Sequence, residues 1–380
     1  MTKDCPNCGC SMEVLFSTDG SVAVNQYSRD ADYQKKKQKG LLCQNCKYFF
    51  NDHAWSMSEL FDNYKYSSPD SQYLEPILDE IKSFSRDKRI SKVCEVGGNS
   101  GLFLSKLKGR MPEVECTNID KWHEIERFPE VRSVNTFVDE ASGKLLEPLA
   151  PELVICRHMF AHNPNVKTLL SNILEQFNRP KFIYIENASL EETIDQSDFG
   201  QFYAEHYYAF TPFSVSKLLE IEGYRLVKYQ SFEIHNGSFG MFFSRSSGHE
   251  VKFDFRDFDN KAIRDKFSVW LDDCFRFEEK IIASNFPISL YAVSAKFVFT
   301  ANAFLSSEFR NSFVSIYDNT PQKRGLIPPG FECPVEGDSD LNDLSDDSCL
   351  IIGARNFYEE IEKKLEAIGI VKERLICPPF

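Results

Sequence analysis

Two spacings of apolar residues alternate along this chain. Leu74 to Phe84 carries them at the helical interval, one face of a 3.6-residue period. Short apolar, β-branched runs follow at Ile90–Val96, Val114–Ile119, Leu153–Cys156, Phe182–Ile185, Tyr224–Tyr229 and Met241–Phe243, with helical patterns between the earlier ones and a helix from about Phe213. Such alternation predicts a doubly wound α/β sheet. A smaller unit of the same kind follows. Ile263, Phe267, Leu271, Cys274, Phe275, Ile281 and Ile282 mark a long amphipathic helix between Asp257 and Asn285. Ile288–Val293, Phe313–Tyr317 and Leu350–Gly353 then read as strands, and Asn356–Ile368 as a helix. The pattern divides the chain into residues 1–68, 69–247 and 248–380, the last a second Rossmann-like unit.

Composition narrows the function classes. The 380 residues are 42% apolar and 27% charged, with a net charge of −13, which suits a folded globular chain and not a disordered or collagen-like one. No run approaches the roughly 18 to 20 apolar residues of a membrane helix. The opening Met-Thr-Lys-Asp-Cys-Pro lacks the apolar core of a secretion signal, so a cytoplasmic protein is expected. No span is basic overall, so binding to nucleic acid or anionic lipid has no electrostatic support. The basic run Lys35-Lys36-Lys37-Gln38-Lys39 is read as a solvated loop, and so is the acidic stretch from Glu336 to Asp347. Self-contained cores point to a monomer.

Four of the twelve cysteines form two CxxC knuckles, Cys5-Pro-Asn-Cys8 and Cys43-Gln-Asn-Cys46, 34 residues apart. Four thiolates about 2.3 Å from one ion close a tetrahedral zinc site and leave no position for a reactant, so the metal expected here is structural. The spacer is long for such a module and implies an inserted loop. The strand-like Lys47-Tyr48-Phe49-Phe50 trails the second knuckle, and Cys10 is a bystander.

In the central span, Glu95-Val96-Gly97-Gly98-Asn99-Ser100-Gly101 lies between a strand and a helix start. Glycines at the end of a parallel strand let backbone approach a ligand closely. The next strand ends in Asp120, 25 residues after Glu95, where an acid accepts hydrogen bonds from ribose hydroxyls.

This turn resembles the ExGxxxG turn of Rossmann-type S-adenosylmethionine-dependent methyltransferases. Met159-Phe160-Ala161-His162, Tyr203-Ala204-Glu205-His206-Tyr207-Tyr208-Ala209-Phe210, His235-Asn236-Gly237-Ser238 and Asp318-Asn319-Thr320-Pro321-Gln322-Lys323-Arg324-Gly325 carry the resemblance further. With the cysteine module they are similar, over essentially the whole chain and in order, to the sugar C-methyltransferases. That family methylates the carbon beside the keto group of nucleotide-linked 4-keto-deoxysugars. The resemblance implies a class I methyltransferase Rossmann-like sheet flanked by an amino-terminal zinc-binding module and a smaller carboxy-terminal Rossmann-like domain, with S-adenosylmethionine and a structural zinc ion as cofactors. Glu95, Gly97, Gly98 and Gly101 would line the methionine end of the donor, Asp120 its ribose, and His158 a position close to it.

Carbon methylation needs a base for the proton beside the carbonyl, a donor for the enolate oxygen, and a methyl group in line. By the resemblance His206 is the base. Tyr203 would be the donor, Glu205 would orient the imidazole or bind the sugar, and His162 and Tyr66, in preference to Tyr64, fall on other active-site positions. Tyr64, His235 and Asn236 are candidates for the sugar, and Lys296, Lys323 and Arg324 for its diphosphate. The chain departs from the family at Ala204, usually His, at His158, commonly Asn, at a lost Arg after Ser238, and at Val293-Ser294-Ala295-Lys296-Phe297, where the family's glycines are gone. Two further readings stand beside this one: oxygen or nitrogen methylation of a sugar on the same architecture, and a non-catalytic nucleotide-sugar-binding protein.

Overall fold

The computed structural model describes residues 3–61, 73–121, 127–245, 253–257, 259–345 and 347–380. Tyr64 and Tyr66 lie outside the described residues, and of His235 only the backbone is described. The amino-terminal strands are β1 (Glu13–Ser21), β2 (Lys36–Cys43) and β3 (Tyr48–His53). The central span adds β4 (Lys92–Val96), β5 (Glu115–Asp120), β6 (Arg132–Asn135), β7 (Leu153–Arg157), β8 (Phe182–Ala188), β9 (Tyr208–Ala209), β10 (Arg225–Phe232) and β11 (Ser238–Ser244). The carboxy-terminal strands are β12 (Ile288–Tyr291), β13 (Phe313–Tyr317), β14 (Val335–Glu336), β15 (Cys349–Ile352) and β16 (Leu375–Ile376).

The central sheet runs β10-β11-β8-β7-β4-β5-β6, with β11 antiparallel to both neighbours and the other pairs parallel. This is the class I methyltransferase order. Its helices follow from apolar spacing and caps. Leu74–Lys88 buries Leu74, Ile77, Leu78, Ile81 and Phe84. Val166–Gln176 starts where the Asn165 side chain accepts from the Thr168 amide, and Pro212–Ile221 starts at a Thr211/Ser214 capping box. The carboxy-terminal sheet is parallel throughout, in the order β14-β13-β12-β15-β16, with Asn260–Ile282 as its long helix.

Two sequence expectations fail in the amino-terminal span. The run at Lys35–Lys39 is not a solvated loop: it leads into β2, which pairs with β1 and β3 and buries Gln38 completely. Lys36 tolerates this position because its ammonium pairs with Glu59 and lies over the Trp55 ring, 4.5 Å from the centroid. The cores are also not self-contained. β9, from the central span, closes the amino-terminal sheet by pairing with β3. One core cluster joins Phe16, Val24 and Phe49 to Phe199 and Phe202, and to Phe267, Trp270 and Phe299 of the carboxy-terminal span. The acidic stretch also departs in part from a solvated loop, since Asp338–Asp343 is a 3-10 turn that buries Leu341 and pairs Asp338 with Lys364. Among the described residues no helix is long and apolar enough to cross a membrane.

Candidate active site

The two cysteine knuckles converge. Cys5, Cys8, Cys43 and Cys46 bring their sulfurs within 4.8 Å of one another, with Cys5–Cys46 at 3.8 Å and Cys8–Cys43 at 3.6 Å. A tetrahedron with metal–sulfur bonds of about 2.3 Å has edges of about 3.8 Å, so the set fits one zinc ion. Backbone amides of Asn7 and Cys8 point at the Cys5 sulfur and that of Cys46 at the Cys43 sulfur, at 3.3 to 3.4 Å, which favours thiolates. Cys10 is exposed and outside the group.

At the carboxyl end of β4 the chain turns through Gly97 (φ 74°) and Asn99 (φ 53°) to the Gly101 start of the helix Leu102–Arg110. A side chain on Gly98 would put its first carbon 2.2 Å from the Asn118 side-chain oxygen and 2.9 Å from Glu95 Oε2. The Asn99 amide donates to Asp120 Oδ2 at 2.7 Å, and Asn118 Nδ2 donates to the Asn99 carbonyl at 2.9 Å. Among the described residues, Glu95 Oε2 and Asn118 Oδ1 are buried without a partner. Unpaired buried acceptors beside a cradle with no room for a β-carbon are what a polar ligand with hydrogen-bond donors would satisfy, so these residues fit S-adenosylmethionine. Burial raises the Glu95 carboxyl to about 7, although Arg157 beside it works in the opposite direction.

Sequence reasoning missed the group beneath this cradle. Arg157, at the end of β7, reaches Glu95 at 3.6 Å and Glu186 at 3.2 Å, and its guanidinium lies over the Phe103 ring. Glu186 is fully buried and also accepts from His158 Nε2 at 2.8 Å and from the Tyr184 hydroxyl at 3.0 Å. Burial acts to raise its carboxyl, but Arg157 and then His158 outweigh burial and hold it at about 2. His158 therefore sits with φ 50° on an ionised carboxylate at the carboxyl edge of the sheet. A charged pair at adjacent strand ends was the available signal, since Arg157 and Glu186 each close an apolar strand.

The candidate base lies on the loop before β9. His206 Nδ1 donates to the Gln201 carbonyl at 2.9 Å, so that in the neutral imidazole Nε2 bears the lone pair and accepts from the Tyr203 hydroxyl at 2.8 Å. The two rings are 4.0 Å apart. His162 stands across from them, its ring 4.9 Å from that of His206, with Nδ1 donating to the Glu205 carbonyl at 2.8 Å. Burial lowers His162 to about 4, so it is neutral near pH 7. The 3-10 turn that carries His162 follows Met159, whose side chain fills the space beside Gly97, so the cradle and the His206 pair are joined through one short segment.

The expected pairing of Glu205 with the imidazole is not what the structure places there. Glu205 is fully buried and Oε1 accepts from Asn25 of the loop between β1 and β2, at 3.2 Å from its amide, while burial raises the carboxyl to about 7. The orienting acceptor is the Gln201 carbonyl instead, and Glu205 turns to Asn25. The inserted spacer thus reaches the site. Beyond Asn25, Tyr27 donates to the Val293 carbonyl and Ser28 pairs with Ile327.

Of the candidates for the sugar and diphosphate, Lys296 and Asn236 bridge the carboxy-terminal and central spans, while Lys323 and Arg324 find their partners outside the central sheet. Lys296 pairs with buried Asp198, which also accepts from Asn236 at 3.1 Å; Asn236 in turn donates to Asn356 at 2.6 Å. Lys323 pairs with Asp318 at 2.8 Å and donates to the Val293 carbonyl, and exposed Arg324 pairs with Asp340 at 2.9 Å. Each of the three cations thus faces a carboxylate. The turn without glycines is capped by Ser294, whose hydroxyl accepts from the Phe297 amide and donates to the Gly353 carbonyl at 2.7 Å.

Residues 70–229 match the family model described as "Methyltransferase domain". A curated relative, the C-methyltransferase NovU of Streptomyces niveus, is 23% identical over 222 residues, 56% of this chain and 52% of that protein, so the chain spans about half the length of this relative. Two solved structures are similar to parts of the chain. An O-methyltransferase family protein from Burkholderia thailandensis is 14% identical, with TM-score 0.37, over 46% of this chain and 57% of its own. The magnesium protoporphyrin IX methyltransferase of Synechocystis PCC 6803 is 13% identical, with TM-score 0.36, over 48% and 90%. With the sheet order and the glycine cradle, the family match makes the central span a methyltransferase domain of the S-adenosylmethionine-dependent class.

Proposed function

We propose that the protein is a C-methyltransferase that acts on the carbon beside the keto group of a nucleotide-linked 4-keto-deoxysugar, with His206 as general base. The observation that carries this reading is the Tyr203–His206 hydrogen bond, with the imidazole held in the tautomer that presents a lone pair at Nε2. In this scheme Nε2 takes the proton from the carbon, the C–H electrons pass into the enolate, and the Tyr203 hydroxyl turns to donate to its oxygen. Glu95, Gly97, Gly98, Gly101 and Asp120 would hold S-adenosylmethionine, which would supply the methyl group to the nucleophilic carbon and leave as S-adenosylhomocysteine. The imidazolium then returns its proton to water. Lys296, Lys323 and Arg324 exchange their carboxylate partners for diphosphate, and the four cysteines hold a structural zinc ion in a cytoplasmic monomer.

The test mixes protein, S-adenosylmethionine and a panel of nucleotide-linked 4-keto sugars in deuterated buffer and reads products by mass spectrometry. A methyl group retained on the sugar carbons after hydrolysis is expected, and methylation at oxygen or nitrogen would overturn the carbon assignment. His206→Asn should lower turnover by about 10²- to 10⁴-fold with S-adenosylhomocysteine binding unchanged. Equal rates would remove His206 from the base role.

A further inference from the structure

The loop that carries Tyr203 and His206 has no regular secondary structure between Phe202 and Tyr208, yet it is largely buried. Of its six consecutive carbonyls, from Phe202 to Tyr207, that of Tyr203 accepts from the His206 amide within the loop at 3.0 Å, and the others need donors from elsewhere. Five of the six are served by β2 and β3. The two hydrogens of the Asn51 side-chain nitrogen are shared among the carbonyls of Phe202 (3.0 Å), Tyr203 (3.1 Å) and His206 (2.7 Å), and its backbone amide donates to that of Tyr207 (2.8 Å). Gln38 Nε2 adds a second bond to the Phe202 carbonyl at 2.6 Å, and His53 Nε2 serves Ala204 at 2.9 Å. His162 takes the remaining one, on Glu205.

The polarity of this arrangement is set from one end. Trp55 Nε1 can only donate, and does so to the Ser21 hydroxyl at 3.3 Å. Ser21 donates to Gln38 Oε1 at 2.6 Å, and Gln38 Nε2 donates to Asn51 Oδ1 at 2.8 Å, which turns the Asn51 nitrogen toward the loop. Every amide in the relay is buried and has its acceptor filled, so neither amide can flip without leaving a buried group unpaired.

We propose that Asn51 and Gln38 are positioning residues for the Tyr203–His206 pair, and that the cysteine module's strands thereby set the geometry of the base. This rests on the reading of His206 as base, but it makes a separate claim about what holds the imidazole. The three carbonyls on Asn51 flank both members of the pair, so a shift of the clamp moves the tyrosine and the histidine relative to each other. A displacement of about 1 Å is enough to cost on the order of 10²-fold in rate.

The test needs no sugar. Asn51→Asp and Gln38→Glu keep side-chain shape and reverse the hydrogen-bond polarity facing the carbonyls. Histidine-labelled protein carries seven histidines, so nitrogen–proton NMR resolves them individually, with His206 assigned by its loss in His206→Asn. Wild-type protein should show His206 as one tautomer protonated at Nδ1. Both variants should shift its Nε2 resonance and give a mixture of tautomers, with the His158 signal unmoved and S-adenosylhomocysteine affinity within about threefold. An unmoved His206 signal in both variants overturns the proposal. Loss of S-adenosylhomocysteine binding in both overturns it too, because the amides would then hold the whole fold and not this loop. Failure of the base assignment is separate, since it appears as undiminished turnover in His206→Asn.

Discussion

The glycine cradle and the Tyr203–His206 loop are joined by the short segment that carries Met159 and His162, but they are held in different ways. The cradle is a product of its own sheet. Glu95 and Gly97 end β4, Asn118 and Asp120 end β5, and the parallel pairing of these strands places them side by side. The loop is held by another module, through Gln38, Asn51 and His53 on the two strands that flank the second knuckle. A site assembled in this way can lose one half and keep the other. Donor binding and proton removal should then respond to different perturbations.

Metal removal should separate the halves most widely. Structural zinc contributes on the order of 10 kcal/mol to the folding of small metal modules. Chelation, or Cys46→Ser, should strip hydrogen-exchange protection from β2 and β3 and abolish the Tyr203–His206 signal. S-adenosylhomocysteine should still bind, and a parallel collapse of binding would break the comparison. Arg157→Met acts on the opposite half. It leaves buried Glu186 and Glu95 without their cation, which costs about 3–5 kcal/mol. Donor affinity and urea stability should fall while the His206 tautomer stays as it is.

Glu205→Gln should show its effect through pH. The native carboxyl, raised to about 7 from 4.5, binds its proton more tightly than the unfolded chain does. Its contribution to stability is therefore complete below pH 4.5 and is lost as pH rises through 7. The variant should gain about 3 kcal/mol on the wild type across that window in denaturant titrations at both ends. A pH-independent difference would place the carboxylate in contact with water or a cation. Smallest is Gly98→Ala, where the new carbon crowds Asn118. A cost of about 1–3 kcal/mol corresponds to roughly 5- to 150-fold in S-adenosylhomocysteine affinity, with no change at His206.

What the sequence disclosed follows the same division. Strands, the glycine turn and the knuckles were legible because each is written in a short local pattern, and His206 with Tyr203 stood in one recognisable segment. Gln38 was hidden inside a lysine run whose charges suggest solvent, and its burial depends on Phe202 and Asn51, remote in the chain. Arg157 and Glu186 looked like strand ends until the sheet set them together. Glu205 was adjacent to His206 in sequence and pointed elsewhere in space, because its partner Asn25 arrives from the inserted loop. Local periodicity carries no record of such meetings.

The pairing of Phe49 with Ala209 and of Phe50 with Tyr208 also sets an order of assembly. During synthesis the knuckles are made before Tyr208 and Ala209, so the β3 edge of their sheet stays open until the chain has been made through Ala209. A truncated nascent chain ending before that point should expose β3 as an unpaired edge and depend on chaperones. The sheet that follows the first knuckle is thus finished by a segment made about 150 residues later, the one that bears Tyr203 and His206.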